Sequence, residues 1–338
     1  MSRVLRPRDE RDASIDVARG IAIVLVVLGH NRALSMASPA LVAAIFLFHV
    51  PLFFMLSGRV MRPQDPLRAA PRLARRLLVP FVLAALLVGA IKCVTRGEPV
   101  IGTLSGIAWA TGETLPWSHL WFLPTLFLAL LATHALALGV KSSVGWAAAA
   151  VFAVGAAAIL PMAGSTGWPW SLDLLPLCLA FVWSGQALRD SAAAQRTATH
   201  PVTVVMAAAV FTLTLGSARV DLNLREFAPF WPALAAALSG CVLALAASRW
   251  LCRFAAIARP LALVGRHTLV IFILHVSVQK VLLMAYPGEA LSRTGLGLLG
   301  LASAALTIAI TLLISVLIDL PKSRHAARRE AATPSEAR

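Results

Sequence analysis

His30, His49 and His275 stand inside long apolar runs. A neutral imidazole can take a proton near pH 7, and an ionisable group in an apolar run marks function by default. His30 closes a run that also contains Asp16 and Arg19. On a helix, Asp16 and Arg19 share a face and can pair, and His30 returns to that face about three turns later. The plain alternative for the first two is a structural ion pair with a snorkelling arginine. His49 lies in the stretch Phe48 to Gly58, where Pro51 would bend the helix or open its backbone. Lys280, beyond His275, could simply snorkel. His30 and His49, on consecutive apolar runs at overlapping depth, suit a shared polar site, and His275 is a third candidate for it. Zinc is the rival use of these three histidines. They lack metalloprotease spacing and no carboxylate is clearly placed with them, so no metal is assigned.

Anion-binding and acceptor features lie between the apolar runs. Arg59, Arg62, Arg68, Arg72, Arg75 and Arg76 precede Pro80. Arg72, Arg75 and Arg76 fall at helical spacing and could present guanidiniums to a phosphorylated ligand. Equally, they could face anionic lipid. Trp117, His119 and Trp121 open another run. They read either as an interfacial aromatic belt or as a sugar platform. Asp173 reads as a helix-terminus charge or as a substrate ligand.

These residues need positioning, and the composition says by what. Hydrophobic residues make up 59% of the 338-residue chain and charged residues 13%, and mean hydropathy is +0.81. A soluble domain carries about 25% charged residues, so a water-soluble globule is excluded, as is disorder. The apolar runs are continuous rather than alternating, which excludes a transmembrane β-barrel. The expected fold is all-α: a polytopic bundle of about ten transmembrane helices. The windows are residues 15–34, 40–60, 77–94, 120–138, 144–162, 172–188, 201–216, 230–248, 261–284 and 297–318. Residues 100–111 are too short to span and read as interfacial or re-entrant. Most of the thirty Lys and Arg residues then fall on one side, which predicts both termini in the cytoplasm. The net charge of +15 is thereby a membrane-surface feature, and no nucleic acid is implied.

Three segments follow: a basic N-terminus over 1–14, a transmembrane domain over 15–320 and a disordered polar tail over 321–338. The N-terminal run is long enough to span and is broken by charge, so it does not read as a cleaved signal. The four cysteines show no paired spacing and read as buried apolar residues.

Taken together, Asp16-Val-Ala-Arg-Gly20 with Gly29-His30, the stretch Phe48 to Gly58, the arginines up to Pro80, His119 to Leu123, and Gly265 to Leu269 with His275 resemble the acyltransferase 3 family of integral-membrane acyltransferases. The branch looks like the fucose 4-O-acetylase-like sugar acetylases, since the helix-four motif lacks the glutamate of the other large branch. Arg59 departs from the family pattern, which places an aromatic after Ser-Gly. The resemblance implies transfer of an acyl group, not an aminoacyl group, most simply acetyl. The donor would be cytoplasmic acyl-CoA, used as a co-substrate with no bound cofactor. The acceptor would be a hydroxyl of a surface carbohydrate or its lipid-linked precursor, at a bacterial inner membrane. It also implies His30 as the catalytic histidine, Arg19 as its required partner, and Arg72, Arg75 and Arg76 near the donor's phosphates. From the residues themselves, Asp16 joins this catalytic set, His49 or His275 would orient or replace His30, and Trp117, His119, Trp121 and Asp173 are the candidates to face the acceptor. Ser57 is the nearest candidate for a covalent acyl-enzyme. The other function class is a proton-coupled transporter or flippase, which also uses intramembrane His and Arg. Such proteins often carry inverted repeats, and none is visible.

Overall fold

The computed structural model describes residues 7–160, 167–284 and 291–332, with backbone alone for 7–12 and 320–332. Each apolar window becomes helix. The first gives α1 (Pro7–Gly29) and α2 (Arg32–Ala37), and the second α3 (Pro39–Phe46) and α4 (His49–Val60). The third gives α5 (Pro66–Leu73), a π-helical turn (Ala74–Leu78) and α6 (Val79–Arg96). The short run forms α7 (Val100–Trp109). Then come α8 (Phe122–Leu136), α9 (Ser143–Ile159), α10 (Leu175–Asp190), α11 (Ala192–Ala198) and α12 (Pro201–Thr214). The rest is α13 (Phe230–Leu251), α14 (Ala255–Arg266), α15 (Thr268–Met284) and α16 (Arg293–Ala332). A two-stranded antiparallel hairpin, β1 (Arg219–Asp221) and β2 (Glu226–Ala228), is the one sheet among the described residues. The protein is an all-α polytopic membrane protein.

Among the described residues, six helical stretches are long and apolar enough to cross a bilayer, and up to eight if each bent pair counts as one span. The sequence reading expects about ten. The shortfall has local causes. α1 stops at Gly29, and its length includes the charged segment around Asp16 and Arg19. α9 has only 17 residues. The window 201–216 yields α12, which joins α11 at a 56° bend. The window 261–284 is not one straight helix, because α14 and α15 meet at 85° around His267. Pro51 does not make the break near His49 either. The chain breaks at Leu47 and Phe48, and Pro51 sits in the first turn of α4, where its missing N–H costs nothing. α16 continues past Pro321, where the sequence reading begins its tail.

The chain divides into two compact units, Met1–Val42 with Leu251–Arg338, and Ala43–Trp250. In the first, α1 buries Val17, Ala18, Ala22, Ile23, Val26 and Val27, a stripe at helical spacing. α14 lies against α1 with backbones touching. A Cβ on Gly20 would fall 2.1 Å from the Leu261 carbonyl oxygen, and one on Gly265 would fall 1.9 Å from that of Asp16. In the second unit α4 meets α10 equally closely, around Gly58 and Gly185. Phe54, Leu120, Leu123, Trp146 and Phe181 fill the space between its helices.

Candidate active site

The end of α1 is built from side chains. A helix leaves its last carbonyls without intrahelical partners, and here each of three is taken. The Val26 carbonyl accepts from the His30 backbone N–H at 3.1 Å and from His30 Nδ1 at 2.9 Å. The Val27 carbonyl accepts from Gln279 Nε2 at 2.7 Å, and Leu28 from the Asn31 N–H at 3.1 Å. Asn31 is fully buried. Its Oδ1 caps α2 by accepting from the Leu34 N–H, and its Nδ2 donates to Ser303 Oγ at 2.9 Å.

The bond to Val26 fixes the chemistry of His30. A carbonyl only accepts, so Nδ1 must carry the proton. In the neutral ring the lone pair then sits on Nε2, the tautomer a general base needs. His275 packs edge-on against His30, with ring centroids 5.1 Å apart. It is fully buried and donates Nδ1–H to the Phe272 carbonyl at 2.7 Å, which fixes the same tautomer. Gln279 lies one turn further along α15, 3% exposed. Its Oε1 is buried with no hydrogen-bond partner among the described residues.

Asp16 pairs with Arg266 of α14 at 3.7 Å, a half-exposed contact. That ion pair ties α1 to α14. Arg19 is half-buried on α1. His49 belongs to the second unit. It is 2% exposed, donates Nδ1–H to the Ile45 carbonyl at 2.9 Å and meets the Phe46 ring at 4.8 Å.

The arginine segment also lies in the second unit. Asp65 caps α5 by accepting from the Arg68 N–H, and Pro66 follows at the first helical position. Arg72 lies in the last turn of α5, and Arg75 and Arg76 sit in the π-helical turn, a distortion often found at functional sites. All three are exposed, and none has an ion pair among the described residues. Arg72 Nη1 donates to Gln64 Oε1 at 2.6 Å.

With this geometry in place the family comparison is decisive. The acyltransferase 3 model, an acyltransferase domain, matches residues 12–320. The chain belongs to the acyltransferase 3 family. No curated protein matches it. The protein is thus a multi-pass membrane acyltransferase, and family membership decides against the transporter class.

The acyltransferase's remaining candidates lie in the second unit, His119 and Trp121 in one 3-10 turn (Ser118–Trp121) and Asp173 in another (Pro169–Leu174). Trp121 is 3% exposed and His119 6%. Trp117 is half-buried with its ring 5.7 Å from that of His119. Asp173 is not a vacant ligand. Its Oδ2 accepts from Arg225 Nε at 3.1 Å and its Oδ1 from the Trp168 N–H. Both charged side chains are buried, at 4% and 1% exposure. Arg225 also donates to the Asn223 carbonyl and to Ser171 Oγ. Trp170, Ser171 and Arg225 all have positive φ, costing roughly 1–3 kcal/mol each.

Sequence reasoning missed Asn31, Gln279, Arg225, Gln64 and His134. Two had a usable signal. Asn31 adjoins His30 and Gln279 stands four residues from His275, both amides in apolar surroundings. The other three depend on contacts between residues far apart in sequence.

Proposed function

We propose that this acyltransferase moves an acetyl group from cytoplasmic acetyl-CoA to a carbohydrate hydroxyl, on a surface glycan or its lipid-linked precursor, in a bacterial inner membrane. The observation that carries the reading is the His30 tautomer, held by Val26 beside His275. The acceptor hydroxyl attacks the thioester carbonyl and its proton passes to His30 Nε2. The tetrahedral intermediate collapses, the C–S bond breaks, and the departing thiolate takes that proton back from the imidazolium. The enzyme ends unchanged, with an ester and free CoA as products. No covalent acyl-enzyme is required, so Ser57 has no assigned step.

Arg72, Arg75 and Arg76 support the donor half of the reading, since exposed guanidiniums without carboxylate partners are suited to phosphate. Gln279 Oε1 supports the acceptor half. A buried acceptor atom without a donor costs about 1–3 kcal/mol, and a sugar hydroxyl would supply that donor. The Asp173–Arg225 pair holds the loops in shape and contributes no ligand atom.

The test is acetyl-CoA consumption by purified protein, with glycan mass analysis of a deletion strain. Loss of one acetyl mass per modified residue in the deletion strain supports the proposal. Unchanged glycans together with no CoA release would overturn it.

A further inference from the structure

We propose that His134 is a positioning residue for the donor site, setting the place of Arg72 through Gln64. The proposal rests on the reading of Arg72 as a phosphate-binding arginine.

The segment 61–65 that leads into α5 has no regular secondary structure, so its backbone donors need partners from elsewhere. Pro63 and Pro66 have no N–H and stiffen the chain on both sides of Gln64. The Gln64 N–H is given to His134 Nδ1 at 3.1 Å. From the same residue the Gln64 side chain reaches forward, and its Oε1 accepts from Arg72 Nη1 at 2.6 Å. His134, Gln64 and Arg72 are thus linked in series, by one backbone and one side-chain bond. Gln64 directly precedes Asp65, the residue that caps α5, so fixing Gln64 also fixes where that helix begins.

The anchor is rigid. His134 lies at the end of α8 and is 4% exposed. Its neighbour Thr133 is fully buried, donates to the Ala129 carbonyl and accepts from Trp183 Nε1 of α10. At the other end of the segment, the Met61 carbonyl accepts from Gln186 and Arg189 of α10. The loop is therefore pinned to α10 by Met61 and to α8 by Gln64. Accepting the Gln64 N–H requires the lone pair on Nδ1, so His134 is neutral with its proton on Nε2. An exposed arginine on a free loop would spend its orientational freedom on each binding event. One held in place beforehand binds a phosphate with less ordering cost.

Steady-state kinetics on the full-length protein, varying acetyl-CoA at saturating acceptor, test this. His134→Leu keeps the volume and removes the acceptor atom. It should raise the acetyl-CoA KM about three- to tenfold, in line with an indirectly weakened phosphate contact, while kcat stays near wild type. His134→Asn places an oxygen near the Nδ1 position and should restore most of the KM. Gln64→Met, at an exposed position that threatens no packing, should reproduce the KM effect. Arg72→Ala combined with His134→Leu should be no worse than Arg72→Ala alone. If Arg72→Ala raises KM and both His134→Leu and Gln64→Met leave it unchanged, the relay is wrong while the donor reading stands. If Arg72→Ala leaves KM unchanged, the donor reading falls, and this proposal with it.

Discussion

The ring of His30 meets the ring of His275 edge-on, with centroids 5.1 Å apart, and each ring gives its Nδ1 proton to a carbonyl of its own helix. Both imidazoles are thereby held in the same tautomer, with the lone pair of the neutral ring on Nε2.

His30→Ala should therefore abolish transfer while leaving expression and acetyl-CoA binding near wild type. Loss of a general base is worth about 10²–10⁴-fold in rate. His275→Ala should cost less, because it removes the neighbour and leaves the base. His49→Ala, in the other unit, serves as the control for a buried histidine with the same carbonyl bond. Retention of more than about a tenth of wild-type kcat by His30→Ala would remove it from the role of base.

An Arg75→Ala, Arg76→Ala double variant should raise the acetyl-CoA KM without lowering kcat. Charge-assisted bonds to phosphate contribute about 1.5–3 kcal/mol, and neither arginine has an ion pair to compensate its loss. Unchanged donor affinity in correctly inserted protein would return both to the positive-inside rule.

Gln279→Leu should raise the acceptor KM and leave acetyl-CoA hydrolysis without acceptor untouched. The amide nitrogen caps Val27, so some stability is also lost, and Gln279→Glu separates the effects by keeping an acceptor oxygen while removing the donor. If Gln279→Glu and Gln279→Leu shift the acceptor KM equally, Oε1 does not receive the hydroxyl.

The fold class was legible because composition averages over the whole chain, and an apolar excess of this size has one physical outcome. The 85° bend between α14 and α15 was not, because an apolar count is blind to direction. Arg266-His267-Thr268 interrupts the run, yet three polar residues also fit inside one span. His30 was legible from its place one helical face along from Asp16 and Arg19. Its tautomer was not, since that depends on α1 ending at Gly29. The pairing of Asp173 was not legible for a related reason. Its partner Arg225 lies on the turn after β1, and no local pattern joins residues that far apart.

The topology carries its own prediction. Both termini are assigned to the cytoplasm from the distribution of Lys and Arg. A reporter fused after Arg338 should then be active on the cytoplasmic side. Ala163, in the sequence between α9 and α10, is one position for an external label and lies outside the described residues. Gly216, just beyond α12, has open space where a Cβ would go, and Gly216→Cys should react with an impermeant thiol reagent. The opposite result at both positions would invert the assignment.

The Asp173–Arg225 pair gives the sharpest stability test. Arg225→Met leaves a buried carboxylate without its cation, and breaking such a pair costs about 3–5 kcal/mol. Asp173→Leu with Arg225→Met removes both charges, and replacing a buried pair by apolar groups is often near neutral. The single variant should therefore unfold at lower temperature in detergent than the double. If Asp173 instead binds the acceptor directly, the double variant would be folded and inactive. If it only holds the loops, the double variant keeps measurable transfer, and thermal unfolding alongside acceptor kinetics separates the two.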